Sequence, residues 1–67
     1  MIRSITYLEE EAKLIISTVS DSNRVKYSYK DIPLSLYRKV FQFYKKNLEG
    51  NIWKSLKNCD FEKEELL

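Results

Sequence analysis

The chain has 67 residues, room for one domain, with 33% charged residues, one glycine, one proline, one cysteine and no histidine. A chain this short buries only about 60% of the surface it exposes when unfolded, so its stability rests on a thin margin. A lone cysteine excludes an internal disulfide, and without histidine a zinc site would need carboxylates and one thiol, which is poor ligand chemistry. The longest apolar run, Leu14-Ile15-Ile16, is far too short to span a membrane. One cysteine and no basic-then-apolar leader after Met1 together lead us to expect a cytoplasmic protein.

The net charge of +2 conceals a pattern. Residues 1–23 set Arg3 and Lys13 against Glu9, Glu10, Glu11 and Asp21, a net −2. Residues 24–57 carry nine Lys/Arg against only Asp31 and Glu49, a net +7. Residues 58–67 set Lys63 against Asp60, Glu62, Glu64 and Glu65, a net −3. A basic middle is bracketed by acidic ends, which bears on partners and not on fold.

In chain order, the first thirty residues alternate as strands do. Ile5 and Tyr7 share one side of a short stretch, and Leu14 and Ile16 one side of the next. In "RVKYSYK", residues 24–30, the alternation is strict: Val25, Tyr27 and Tyr29 face one way, Arg24, Lys26, Ser28 and Lys30 the other. The links "LEEEAK" and "SDSN" are polar, and the second holds Ser, Asp and Asn, which tolerate tight turns. Three strands on short links predict an antiparallel meander.

A helix follows. Asp31 is placed to accept the free amides of its first turn, and Pro33 suits a position where the missing N–H costs nothing. Leu34, Tyr37, Phe41, Tyr44 and Leu48 recur at spacings of three and four, an apolar stripe that Leu36, Val40 and Phe43 widen. Arg38, Lys39, Gln42, Lys45 and Lys46 fall opposite. Gly50 is expected to end this helix in the left-handed conformation. A second, shorter helix is expected from Asn51, with Ile52 and Leu56 one turn apart and Trp53 beside them. The tail "DFEKEELL" either adds a helical turn or frays. The expected architecture is α+β: a three-stranded antiparallel meander packed on one long helix, with a short C-terminal helix. Residues 1–58 form the single domain and 59–67 an acidic tail. Tyr27 and Tyr29 point toward the helix, at least one of them as core, with the hydroxyl at an edge.

The order "SITYLEEEAKLIIST", "VKYSYKDIP", "LYRKVFQFYKK" and a later glycine resembles the KTSC domain. That family is a small module found alone in bacterial proteins and at the C-terminus of some lysyl-tRNA synthetases. Its central mark, a Tyr-x-Tyr pair and then a hydrophobic-Pro step into a helix, is matched by Tyr27-Ser28-Tyr29 and Ile32-Pro33. The opening Ser-Ile followed by Tyr is matched by Ser4, Ile5 and Tyr7, and the alternating aliphatics by Leu14 and Ile16. The likeness spans about residues 3–57 and is specific over residues 25–33. Three departures are plain: "SDSN" stands where the family commonly has a glycine turn, the stretch from Pro33 to Gly50 is about one helical turn longer than usual, and Asn51-Ile52-Trp53 replaces a Tyr-Phe-Asn signature. The resemblance implies the fold; RNA binding has been suggested for the family.

Catalysis finds little support. Acid–base work would fall to carboxylates, Lys or Tyr, and Glu9, Glu10 and Glu11 read as a solvated turn. Nothing beside Cys59 lowers its thiol pKa, and one glycine makes no phosphate-cradling loop. We expect a non-enzyme with no cofactor and no metal. Nucleic-acid binding has the better case. Arg38, Lys39, Lys45 and Lys46 on the first helix, with Lys54 and Lys57 on the second, suit phosphates, and Arg24, Lys26 and Lys30 form a secondary basic patch on a strand. Phe43, Leu36 and Trp53 are candidates to stack on unpaired bases or to contact a partner. A helix on a sheet also exposes lysines for no purpose beyond solubility, and the two basic patches fall on opposite sides of the fold. The rival reading is a protein-binding module, such as a phage or mobile-element inhibitor or adaptor, resting on the wide apolar arc, Trp53, Phe61 and open sheet edges. A homodimer joining exposed helix faces suits both readings and eases the small-core problem.

Overall fold

Alternating apolar residues in three consecutive segments place one side of each segment against the same core, and the backbone follows. A computed structural model describes residues 1–66. β1 (Ile2–Leu8), β2 (Lys13–Ser20) and β3 (Asn23–Tyr29) pair in sequence order, antiparallel throughout. α1 (Leu34–Lys45) and α2 (Glu49–Ser55) follow, and β4 (Phe61–Leu66) then pairs antiparallel with β3, completing a sheet of order β1-β2-β3-β4.

The turns are short because residues with tolerable left-handed conformations sit where the chain reverses. Asp21 opens the link between β2 and β3 at φ 54°. Between β1 and β2 a 3-10 turn over Glu9–Glu11 closes on Ala12, at φ 51°, whose amide donates to the Glu9 carbonyl at 3.2 Å. The Ala12 carbonyl in turn accepts the Ile32 amide at 2.8 Å, tying this hairpin to the entry of α1.

The inner face of the sheet carries Ile5 and Tyr7 of β1, Leu14 and Ile16 of β2, and Tyr27 and Tyr29 of β3, paired Tyr7↔Leu14↔Tyr29 and Ile5↔Ile16↔Tyr27. Leu14, Ile16, Ile32, Val40 and Ile52 have no exposed surface, and each such aliphatic contributes about 1.5–3 kcal/mol on burial. Tyr29 is buried and Tyr27 half-buried beneath α2, so the tyrosine pair of β3 belongs to the core. The meander and the inward orientation of Tyr27 and Tyr29 match the sequence expectation, while Val25 is half-buried outside the core cluster.

Four features differ. The acidic tail is neither a helical turn nor a frayed end but β4. Its Phe61 has somewhere to go, against Tyr29 at 5.1 Å and Tyr27 at 5.8 Å, while Glu64 stands opposite Lys26 and Glu62 pairs with Lys30 just past β3. The helical segment is divided. Asn47 takes the left-handed conformation at φ 59°, its amide donating to the Tyr44 carbonyl at 3.1 Å and the Leu48 amide to Phe43 at 2.9 Å, the paired bonds of a Schellman end. Gly50 therefore lies inside α2 and ends nothing. Asp31 is not a cap; it reverses the chain at φ 55°, and Pro33 occupies the N-cap position, its carbonyl accepting the Leu36 and Tyr37 amides. Finally, the buried centre of α1 is Val40, flanked by half-buried Leu36, Tyr37, Phe43 and Tyr44, while Leu34 and Phe41 stand 36% and 37% exposed. The apolar arc is turned by about one residue from the expected stripe.

α1 lies along the β1 side. The Tyr37 ring stacks on Tyr7 at 4.4 Å and 6°, the Tyr7 hydroxyl donates to the Ile32 carbonyl at 2.6 Å, and the Tyr44 hydroxyl to the Arg3 carbonyl at 3.3 Å. α2 lies toward β3, where Trp53 meets Tyr27 edge-on at 5.3 Å. No helix among the described residues is long and apolar enough to cross a membrane.

Candidate nucleic-acid interface

Packing α1 and α2 onto one face of the sheet sends their remaining side chains to solvent on the far side. Arg38, Lys39, Lys45, Lys46, Lys54 and Lys57 are all exposed there. The only acidic residue between positions 34 and 58 is Glu49, and its carboxylate accepts the Ile2 amide across the end of the sheet. The helical layer thus presents six cations with one counter-charge, and that one is engaged elsewhere.

The cations are not one cluster. At about 100° per residue, Arg38 and Lys45 leave α1 on the flank shared with Leu34 and Phe41, and Lys39 and Lys46 on the other flank. The first flank carries an aromatic run: Tyr7 stacked on Tyr37, Tyr37 tilted against Phe41 at 5.9 Å, and the Lys45 ammonium 5.6 Å from the Phe41 ring centre. Phe41 is thus an exposed ring beside two cations.

Phe43 and Trp53, the aromatics singled out from sequence, are drawn inward. Both are half-buried and packed on the core, Trp53 against Tyr27. Phe41 was missed because it sits on the apolar stripe; the competing Leu36-Val40-Phe43 set, at the same spacings, was the only signal that the stripe's phase could differ.

The strand patch fares differently from the helical one. Arg24, Lys26 and Lys30 do point away from the helices, but β4 brings glutamates beside them. The Lys30 ammonium lies 2.9 Å from a Glu62 carboxylate oxygen, and Lys26 is directly opposite Glu64. The hydrogen bond and charge of Lys30 hold the Glu62 carboxyl below the usual range, and Glu62 in turn raises Lys30. Both groups are solvated, so the pair does little for stability. Its effect is on the potential: the outer sheet face mixes both signs, and the helical layer does not.

No group of three or more His, Cys, Asp or Glu side chains among the described residues is placed to hold a metal ion. A shallow hollow lined by Met1, Ile2, Arg3, Val19, Tyr44 and Asn47 lies at the end of the sheet, with no array of polar groups converging on it. Comparison with known proteins finds no family model, no curated protein and no solved structure that matches this chain.

Proposed function

We propose that this chain is a small non-enzymatic binding module that holds a nucleic acid, with single-stranded RNA as the favoured form, on its helical layer. The observation that carries the reading is the uncompensated charge of that layer, against an outer sheet face where β4 supplies counter-charges. Lys and Arg that meet phosphates gain affinity by counterion release, and an exposed ring beside them offers a surface for an unstacked base. Arg38, Lys45 and Phe41 form the central element, with Lys39, Lys46, Lys54 and Lys57 along the backbone path. The likeness of residues 25–33 to the KTSC signature supports the same reading, since RNA binding has been suggested for that family. A cytoplasmic location belongs with it.

The test is binding of an end-labelled single-stranded RNA before and after changing Arg38, Lys39, Lys45 and Lys46 to Glu. Loss of binding with an unchanged circular dichroism spectrum supports the reading; binding that survives the four changes overturns it. Capture of one stoichiometric protein from nuclease-treated lysate, with no affinity for RNA, favours the adaptor reading. The exposed pair Leu34 and Phe41 is the feature on its side.

A further inference from the structure

The sheet has two edges, and the chain treats them differently. β4 is guarded: Glu62, Lys63, Glu64 and Glu65 fill four of its six positions, the charge pattern that discourages edge pairing. β1 is not. Residues 4–8 read Ser-Ile-Thr-Tyr-Leu, with no charge and no proline. Ile2 and Arg3 are already engaged by Glu49 and Tyr44, but beyond them no described residue outside β2 hydrogen-bonds to the backbone of residues 4–8. The outward amides and carbonyls of that stretch form an open template for another strand.

The ends of β1 say which strand. Arg3 stands at its start and Glu9, Glu10 and Glu11 directly after its end, all exposed. Two copies of this segment laid antiparallel bring Arg3 of each against the glutamates of the other, twice by symmetry. Laid parallel, they would set like charges together. With Thr6 on the two-fold axis, Ser4 faces Leu8 of the second copy, Ile5 faces Tyr7, and Arg3 faces Glu9. This register keeps inner faces with inner faces, as a continuous sheet requires. Leu34 and Phe41 lie on the flank of α1 toward this edge, one turn to either side of Tyr37, which stacks on Tyr7.

We infer that this chain forms a symmetric dimer through antiparallel pairing of its β1 edges, giving one eight-stranded sheet with all helices on one side. The pairing satisfies the open backbone groups, and its self-complementary charges select a second copy over an arbitrary strand.

Sedimentation equilibrium over a rising concentration series tests it. The native chain is expected to approach twice its 8.1 kDa mass. Thr6→Lys sets two ammonium groups opposite each other at the axis and should return the monomer. Arg3→Glu should weaken association by about tenfold, since like charges directly across a strand pair are destabilising at two symmetric places. Adding Glu9→Arg to Arg3→Glu should restore it. The swap touches only exposed side chains, so the test survives if Thr6→Lys fails to fold. A monomer at every concentration, a dimer indifferent to both single changes, or a charge swap that does not restore association each overturns the inference.

Discussion

The sharpest test of the binding surface compares the two basic patches through salt. If a single strand of RNA contacts all six cations of the helical layer, the slope of log K against log salt should be about −4, at roughly −0.7 per phosphate contact. Changing Arg38 and Lys45 to Gln removes two contacts and should flatten the slope by about 1.4. Changing Arg24, Lys26 and Lys30 to Gln removes one charge more, yet should leave the slope nearly unaltered. All three lie on the sheet face away from the helical layer, and a phosphate could reach Lys30, paired with Glu62, or Lys26, opposite Glu64, only by displacing a carboxylate. The assay is fluorescence anisotropy of an end-labelled oligonucleotide across a salt series, each variant first checked for a native circular dichroism spectrum. Charge count alone predicts the larger effect for the triple variant, whereas placement predicts it for the double. A triple variant whose slope flattens as much as, or more than, the double variant's would refute the assignment of the helical layer.

Three further outcomes follow from the fold. A Cβ added at Gly50 meets nothing within 4 Å, and the residue lies inside α2 without a positive φ, so Gly50→Ala should stabilise by about 0.5–1 kcal/mol in urea denaturation; a loss of stability would restore Gly50 as a helix terminator in place of Asn47. The Tyr29 phenol is raised above the ordinary value of 10.0, first by burial and then by Tyr27 and Cys59. Its neutral form is the one the fold favours, so its contribution is complete below the unfolded tyrosine pKa and is lost as pH climbs through the folded one. In alkaline absorbance titration one of the five tyrosines should therefore ionise late, and Tyr29→Phe should delete that step. Phe61 is 49% exposed but is the aromatic anchor of β4 on Tyr27 and Tyr29; Phe61→Ala should cost about 1–2 kcal/mol. It should also speed amide exchange at Lys30, which donates to the Asp60 carbonyl at 3.1 Å; an unchanged Lys30 amide would mean that β4 is held by other means.

The meander was legible because its signal is local: Val25, Tyr27 and Tyr29 alternate with Arg24, Lys26 and Ser28, and a period of two leaves one way to bury the apolar set. β4 was not, because its cause is remote. "FEKEEL" has helix-forming residues and no alternation of its own; it becomes a strand only where β3 and the residue just past it offer two tyrosine rings to Phe61 and lysines to Glu62 and Glu64. Reading the secondary basic patch depended on that same strand, so the neutralisation of Lys26 and Lys30 was equally hidden. The helix end was misplaced for a different reason. Glycine is the strongest prior for a left-handed C′ position, but Asn47 also tolerates it, and burying Ile52 needs the chain to turn three residues sooner. The phase of α1 was open because two apolar sets with the same spacings compete, and only Ile32 and Ile52, brought in by tertiary packing, select Val40 as the centre.

The two proposed surfaces meet on one flank of α1. Arg38 and Lys45 share it with Leu34 and Phe41, and that flank faces the β1 edge. A dimer joined there sets two such cation pairs on either side of the axis, above a single sheet. Their mutual repulsion opposes association, but at about 0.15 M salt the screening length is near 8 Å, so only the closest pairs contribute. An RNA strand lying across the axis would replace that repulsion with attraction to both copies. Whatever factor the RNA lends to dimerisation, the dimer must lend to RNA binding, because a coupling free energy is shared by both equilibria. Pairing through residues 4–8 of β1, the stretch of edge without charge, doubles the basic layer without adding a residue, which gives a physical reason for guarding β4 and not β1.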